Sequence, residues 1–538
     1  MTRFARRSPH RPNDGPNDRL VDVAIVIGFA VVVALSLWRH EPWRDELQAW
    51  MIARASHTPG DLVRNLRHEG HPVGWYLMLW PAARVSGGIW MLQVVTWCVS
   101  VSTAGLVMAR APWSRFTRAI LIFSYFFAFE YGVLARSYVL GTLCLLGALT
   151  SMRPIYRWFP LGIALGALTL TSAFGALIAF ALFAGALVDQ RAELRSLEVR
   201  RRMSATAALL FRATIVSWVQ ARPAPSTAVF NSWNFSLDAD IASTSVAAIF
   251  RGIVPLPKLQ RSWWNTSIAD GHTGIAAVVG ILAFIGILWA LRRSRAAQTV
   301  WALGVVFIVA LLYLKLRQAD AARYYGHIFM VLVTAVWMHA TPRDHAAEQL
   351  LELANSNIVT LGNASIPVTD TPHRAPAWFA AILVGQTAFG LIALAVDATQ
   401  PFSDAQATAA WITAHGGNRP GIVGCDDAPA SSVAGHLNRR IFYRQGASNG
   451  TFIEWNRQRN ADFADLATAV RRSNPGKHSR VFYVANEPNI ALSEKLRFQS
   501  DNGIVADEHY WVYDLTDLTG AELTALTQRA PRDPCQTL

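Results

Sequence analysis

Residues 73–85 read VGWYLMLWPAARV, an apolar stretch well short of the ~20 residues that a helix needs to cross a bilayer. Its reading decides which way every later segment faces. Two readings are open: a membrane span, or a helix lying at the membrane surface. If it does not cross, the basic N-terminus (MTRFARRSPHRP), Arg110 to Arg118, Met152 to Arg157, Arg191 to Arg202 (RAELRSLEVRRR) and Arg292 to Arg295 (RRSR) all share the cytoplasmic side. If it does cross, four of those five basic segments face outward, against the tendency of Lys and Arg to stay inside. Residues 72–86 are therefore read as a juxtamembrane helix of a first external loop, 39–87.

Outward from this stretch, apolar runs long enough to cross lie near 21–38, 88–108, 119–134, 137–150, 157–172, 173–189, 204–220, 273–291, 298–315, 325–340 and 376–397. The expectation is an α-helical polytopic membrane protein with about eleven transmembrane helices. Composition agrees: 52% of the 538 residues are hydrophobic and 16% charged, and the mean hydropathy is +0.24. The net charge of +13 resides largely in short linkers between apolar runs, which points to a membrane surface. No basic patch interleaved with stacking aromatics marks a nucleic-acid partner. The run 21–38 after a basic leader is shaped like a signal sequence, but with so many spans behind it the reading is an uncleaved anchor.

The chain divides into a basic cytoplasmic tail (1–20), a membrane domain (21–397) and a water-soluble domain (398–538) on the extracytoplasmic side. In the last of these, helical patterns (Asp404 to His415, Asp462 to Arg472) alternate with β-rich runs (Ile441 to Tyr443, Arg480 to Val484, Tyr510 to Tyr513), which describes an α/β domain. Its sequence names no function. Cys425 and Cys535 both fall there and could pair in an oxidising compartment. Residues 341–375 read as a polar cytoplasmic linker. Trp233, Trp263 and Trp264, in the loop 221–272, suit an interfacial aromatic belt or a lid over a lipid.

Three clusters of ionisable and aromatic residues reach the outer face. The first is RHEPWRDELQAWMIARASHTPGDLVRNLRHEGHP, residues 39–72. Pro42 suits a first helical turn, so Trp43 to Ser56 reads as an amphipathic helix with Leu47, Trp50, Met51 and Ile52 toward lipid or protein. Successive helical residues point about 100° apart, so Asp45 and Glu46 cannot face one spot; one carboxylate is free for chemistry while the other holds structure. The plain alternative is that both merely offset the helix dipole. His68 and His71 could contribute to a metal site but do not complete one, so no metal is assigned and a divalent ion is possible without being required.

The second cluster is Glu130 to Tyr138, EYGVLARSY, where Arg136 could hold a phosphate or could simply pair with Glu130. The third is Arg317 to His327, RQADAARYYGH, where Arg323, Tyr324 and His327 could bind phosphate or sugar hydroxyls, or could anchor at the interface.

The order of these elements resembles the GT-C glycosyltransferases, multi-pass enzymes that take sugar from a polyprenyl-phosphate carrier, among them protein mannosyltransferases and aminoarabinose transferases. An acidic pair follows the first span (Asp45-Glu46), a His-Pro-x-x-x-Tyr segment opens the juxtamembrane helix (His71, Pro72, Tyr76), and Ala-Arg-x-Tyr begins a later span (Ala135, Arg136, Tyr138). The likeness covers about residues 20–340. It departs at Gly70-His71-Pro72-Val73-Gly74, where many relatives carry a double proline, and by lacking a His within Leu170 to Gly175. The resemblance implies an inverting transfer from a polyprenyl-phosphate-linked sugar to an unknown extracytoplasmic acceptor, among membrane lipids. Asp45 is the implied base with Glu46 beside it, and His71, Tyr76, Glu130, Arg136, Tyr138, Arg323, Tyr324 and His327 are the implied binding residues. The competing class is a multi-pass transporter or lipid flippase; such a protein places ionisable residues near the bilayer midplane, whereas these lie at one face.

Overall fold

The computed structural model describes residues 16–529 apart from 154–155, 228–232, 259, 318–320, 342–373 and 475–479. Most of the basic tail, most of the 341–375 linker and Cys535 lie outside the described residues.

The membrane part runs α1 (Pro16–Arg39), α2 (Arg44–Ala55), α3 (Pro59–Asn65), α4 (Gly74–Val85), α5 (Trp90–Arg110), α6 (Arg115–Ile122), α7 (Ser137–Met152), α8 (Trp158–Thr169), α9 (Ala173–Asp189), α10 (Leu197–Ala221), α11 (Ala239–Ile253), α12 (Thr273–Ala290), α13 (Arg295–Leu311), α14 (Ala322–Ala340) and α15 (Ala377–Thr399). Among the described residues five helices are long and apolar enough to cross a bilayer: α1, α5, α12, α13 with its π-helical extension to Leu316, and α15; α7, α8 and α9 are shorter apolar helices. Large apolar side chains stand exposed along α1 (Val23, Ile27, Val31), α10 (Phe211, Ile215, Val219) and α12 (Ile275, Val278, Leu282), as a hydrocarbon environment permits. α14, by contrast, is buried along almost its whole length, between α9, α11 and α13.

Two expectations need correction. The run 119–134 is not one continuous helix: α6 stops at Ile122 and a buried π-helical turn, Tyr125–Glu130, follows. α15 enters at that break, where Gly390 lies so close to the Phe123 carbonyl that a Cβ would sit 2.4 Å from it. Trp263 and Trp264 are not an interfacial belt. Both are buried, and Trp264 packs edge-on against Trp43 and Phe402. α11, within the 221–272 loop, is a helix the sequence reading did not identify.

The C-terminal domain is built on a six-stranded sheet of order β3-β2-β1-β4-β6-β5, from β1 (Gly421–Gly424), β2 (Ile441–Tyr443), β3 (Ser448–Gly450), β4 (Val481–Ala485), β5 (Leu496–Ser500) and β6 (Tyr510–Asp514). The central β2-β1-β4 pairings are parallel and the flanking ones antiparallel. Apolar clusters cover both faces, one including Val423, Tyr483 and Tyr513 and the other Ile422, Phe482 and Val512, so the central strands read as unbroken apolar runs. Helices α16 (Ala405–His415), α17 (Asp427–His436) and α18 (Leu466–Ser473) pack around this sheet. Cys425 is disulfide-bonded, while Cys98 and Cys144 are free.

α2 joins the two parts. It does not lie bare at the interface: Leu47, Trp50, Met51 and Ile52 are all buried, with α4 on one side and α17 on the other. Gly435 of α17 meets Leu47 so closely that a Cβ would lie 3.1 Å from it, and His436 Nε2 is 3.0 Å from the Pro42 carbonyl. The Arg44 amide, an N-terminal donor that the helix itself cannot satisfy, donates to Glu508 Oε1 at 2.9 Å. Gln48 pairs with the backbone of Ile453 in both directions, at 2.8 and 2.9 Å.

Candidate functional site

Successive residues at the start of α2 point opposite ways. Glu46 is wholly buried: Oε2 accepts from the Trp43 amide (3.2 Å) and lies 2.9 Å from His40 Nε2, and Oε1 accepts from the Ala135 amide (2.5 Å). His40 Nδ1 in turn lies 3.0 Å from Asp397 Oδ1 near the end of α15. With carboxylates at both ring nitrogens, His40 is held as an imidazolium: burial alone would favour the neutral ring, but Asp397 and Glu46 raise its pKa well above the usual value. Glu46 thus fixes the 135–136 turn against α2.

That turn delivers Arg136 to Asp45. The Arg136 guanidinium pairs with Asp45 Oδ2, Arg323 Nη2 lies 3.9 Å from the same oxygen, and Arg44 Nε lies 3.7 Å from Oδ1. Burial would favour the neutral acid, but Arg136, Arg323 and Arg44 hold the Asp45 carboxyl well below the ordinary carboxylate range. Aromatic faces wall the cluster: Arg136 lies over Tyr138 (5.3 Å) and Trp43 (6.0 Å), and Arg323 over Tyr324 (4.8 Å) and Trp43 (5.8 Å). Arg323 Nε is buried without a hydrogen-bond partner, leaving a donor in hand.

The three clusters seen in the sequence therefore meet, though not through the pairs first considered. Glu130 does not pair with Arg136; it accepts from Tyr125 (3.1 Å) and from Trp264 Nε1 (3.0 Å) and anchors the wall behind Arg323. His327 is buried against Phe174 and lies 3.0 Å from the Tyr131 hydroxyl. Tyr131, Tyr138 and His327, together with Leu145, Leu168, Ile178 and Met330, line a narrow apolar crevice between α7, α8, α9 and α14 beside the arginine cluster.

On the other flank stands the segment 68–76. His68 Nδ1 is 2.9 Å from Thr227 Oγ1, whereas His71 Nδ1 faces the Glu69 carbonyl at 2.9 Å, so the two histidines engage different partners. Among the described residues no group of three or more His, Cys, Asp or Glu is arranged to hold a metal ion. Tyr76 donates to Glu69 Oε2 (3.3 Å) and Gln48 Nε2 donates to Oε1 (2.6 Å). Burial pushes the Glu69 carboxyl up to about 7, against the Gln48 and Tyr76 hydrogen bonds. α4 is seated by Gly74, whose amide donates to the Leu170 carbonyl at 2.8 Å; a Cβ there would come within 2.5 Å of that oxygen.

His40, Arg44, Glu69 and Asp397 are the members of this neighbourhood that the sequence did not assign, while Trp264, read there as a belt or a lid, instead donates to Glu130. His40, Arg44 and Glu69 carried a signal, being ionisable residues in the same dense loop. Asp397 offered only its place at the end of an apolar run.

The fold is an assembly of membrane helices carrying a small C-terminal sheet domain, with the charged cluster of Asp45, Arg136 and Arg323 at the starts of α2, α7 and α14. The crystal structure of ArnT from Cupriavidus metallidurans bound to undecaprenyl phosphate aligns with 93% of this chain and 98% of its own, at a TM-score of 0.52 and 14% sequence identity. At that identity the likeness is one of fold. No protein-family model and no curated sequence matches the chain.

Proposed function

We propose that the protein is a membrane glycosyltransferase that moves a sugar from a polyprenyl-phosphate carrier to an extracytoplasmic acceptor. The observation that carries this reading is the convergence of Arg136 and Arg323 on Asp45, with Tyr138 reaching from this cluster into an adjoining apolar crevice. Two guanidiniums fit a phosphate in its fork geometry, and the apolar side chains of Leu145, Leu168, Ile178 and Met330 beside them offer a hydrocarbon-compatible flank. The ArnT likeness supports the same reading, since that protein was crystallised with undecaprenyl phosphate.

In this reading Asp45 holds the two guanidiniums apart and aimed while the donor is absent, and yields them to the phosphate when it binds. The acceptor oxygen attacks the anomeric carbon, the carbon–oxygen bond to phosphate breaks, and the arginines stabilise the charge that grows on the leaving group. A carboxylate stabilised as an anion by three arginines is a weak proton acceptor, which moves Asp45 from the role of base toward that of organiser. Tyr138 and Tyr324 support the guanidiniums from their faces, and His71, Tyr76 and His327 flank the sugar and prenyl ends. Glu46 and Glu130 hold the frame.

The C-terminal domain lies outside the cytoplasm in this account, on the side of the arginine cluster. Cysteine labelling from outside intact cells is expected to reach surface positions between 400 and 529, and protection of that whole segment would overturn the orientation. The function itself is tested by equilibrium binding of undecaprenyl phosphate: wild type binds, and the double variant R136A/R323A does not. Equal binding by both would sink the assignment.

A further inference from the structure

Between α3 and the 452–458 segment of the C-terminal domain lies an open cleft of about 470 Å³. Arg64, Arg67, His68, Glu454 and Arg457 are on its walls, and Glu69 is among its lining residues. Its lining mixes these charged groups with Phe452 and Ile453, in contrast with the apolar crevice on the opposite flank of the arginine cluster. We propose that this cleft admits the acceptor, a saccharide bearing negative charge, and that Glu69 takes the proton from the acceptor's attacking hydroxyl. The inference rests on the glycosyltransferase reading and adds to it a second binding site and the group that accepts the proton.

Three observations carry it. First, Glu69 lies between the cleft and the arginine cluster: it lines the cleft, and both Asp45 and Arg136 act on its charge. Second, its two oxygens accept one hydrogen bond each, from Gln48 and from Tyr76, which leaves a lone pair on each to receive a proton. Asp45, the other carboxylate at the site, is instead surrounded by guanidiniums. Third, the cleft lining holds three arginines, Arg64, Arg67 and Arg457, against two carboxylates, Glu69 and Glu454, and Arg67 and Arg457 make no ion pair among the described residues, so an anionic sugar is favoured over a neutral one.

The groups that face Glu69 are Gln48 and Asp45 from α2, Tyr76 from α4, and Arg136 from the 135–136 turn, with the His71 ring against its carbonyl. Burial places its carboxyl in the range where a general base works near neutral pH. The step balances: the hydroxyl proton passes to Glu69, the acceptor oxygen bonds to the anomeric carbon, and the electron pair of the broken bond leaves with the polyprenyl phosphate. The cleft then returns the proton to water.

The test uses the full-length protein in nanodiscs. A water-soluble carbodiimide with a tracer amine, read by mass spectrometry near neutral pH, is expected to modify Glu69 and spare Asp45. Methyl glucuronoside is expected to protect Glu69 better than methyl glucoside, and the R67Q/R457Q variant is expected to lose that preference. An unreactive Glu69, equal modification of Asp45, or equal protection by the two sugars overturns the proposal. Glu69→Gln is expected to bind undecaprenyl phosphate as wild type does and to lose transfer by about 10²- to 10⁴-fold. Transfer retained by this variant contradicts the role of Glu69 alone, whereas a wild-type protein that binds no undecaprenyl phosphate contradicts the glycosyltransferase reading.

Discussion

Arg136 and Asp45, 91 residues apart in sequence, form an ion pair that joins the start of α7 to the start of α2 and draws Arg323 of α14 toward the same carboxylate. Asp45 is the only carboxylate that all three of Arg44, Arg136 and Arg323 approach among the described residues, so its removal leaves clustered positive charge. Asp45→Asn is accordingly expected to bind undecaprenyl phosphate at least as tightly as wild type, because the guanidiniums no longer have an internal anion to release. Transfer by the same variant is expected to fall by at least about 10²-fold as the guanidiniums lose their aim. Binding assays beside turnover assays check this, and weakened binding would contradict the organising role.

Arginine geometry is a separate matter from charge. Arg136→Lys and Arg323→Lys keep the cation but lose the planar fork and the stacking on Tyr138 and Tyr324. Each is expected to cost about 10²- to 10³-fold in transfer with the fold unchanged. Full activity of both lysine variants would show that the cluster supplies only a diffuse field.

His40 is buried with a carboxylate on each side. His40→Ala leaves Glu46 and Asp397 buried without their shared cation, a change expected to destabilise the protein by about 3–5 kcal/mol. Thermal unfolding in detergent checks it. An unchanged midpoint would mean that the Asp397–His40–Glu46 chain does not hold the first loop.

Glu508 accepts the Arg44 amide of α2 and the hydroxyls of Ser403 and Ser432, and burial raises its carboxyl to about 7, partly offset by Arg44. A raised carboxyl binds its proton more tightly in the folded state. Its contribution is therefore full below the unfolded value of about 4.5 and is lost as pH rises through about 7. Glu508→Gln, which stays neutral, is expected to flatten the decline of melting temperature across that window. A wild-type midpoint independent of pH there would remove the basis for this assignment.

Gly74 has no room for a side chain beside the Leu170 carbonyl. Gly74→Ala is expected to shift α4 and to cost about 1–3 kcal/mol, with Tyr76 and Glu69 displaced along with it. A crystal or cryo-EM structure of the variant with α4 unmoved would refute the close-packing account.

Much of this arrangement was legible in the sequence because membrane helices advertise themselves by length and hydropathy. Most apolar runs became helices within a few residues of their expected ends, although 204–220 begins seven residues earlier, at Leu197, and 119–134 is broken, and 73–85 became α4. The opposed directions of Asp45 and Glu46 followed from helical geometry alone. What sequence could not show was long-range pairing. Local proximity made Glu130 the obvious partner of Arg136, yet the partner is Asp45, and Asp397 reaches His40 across 357 positions. The break after Ile122 was hidden because its residues are as apolar as a continuous span. Likewise β1, β3 and β5 were missed: GIVG and SNG are too short for a period, and LRFQS lies at a sheet edge, alternating apolar and polar over only five residues.

In the proposed transfer, the Asp45–Arg136–Arg323 cluster handles the phosphate of a polyprenyl-linked sugar. Its most direct test is incubation of the purified full-length protein with a panel of undecaprenyl-phosphate sugars, measuring free undecaprenyl phosphate with wild type and with R136A/R323A side by side. Wild type is expected to release undecaprenyl phosphate from at least one donor, and the variant to lose that release. Release from no donor by a well-folded wild-type protein, or equal release by both proteins, would contradict that role.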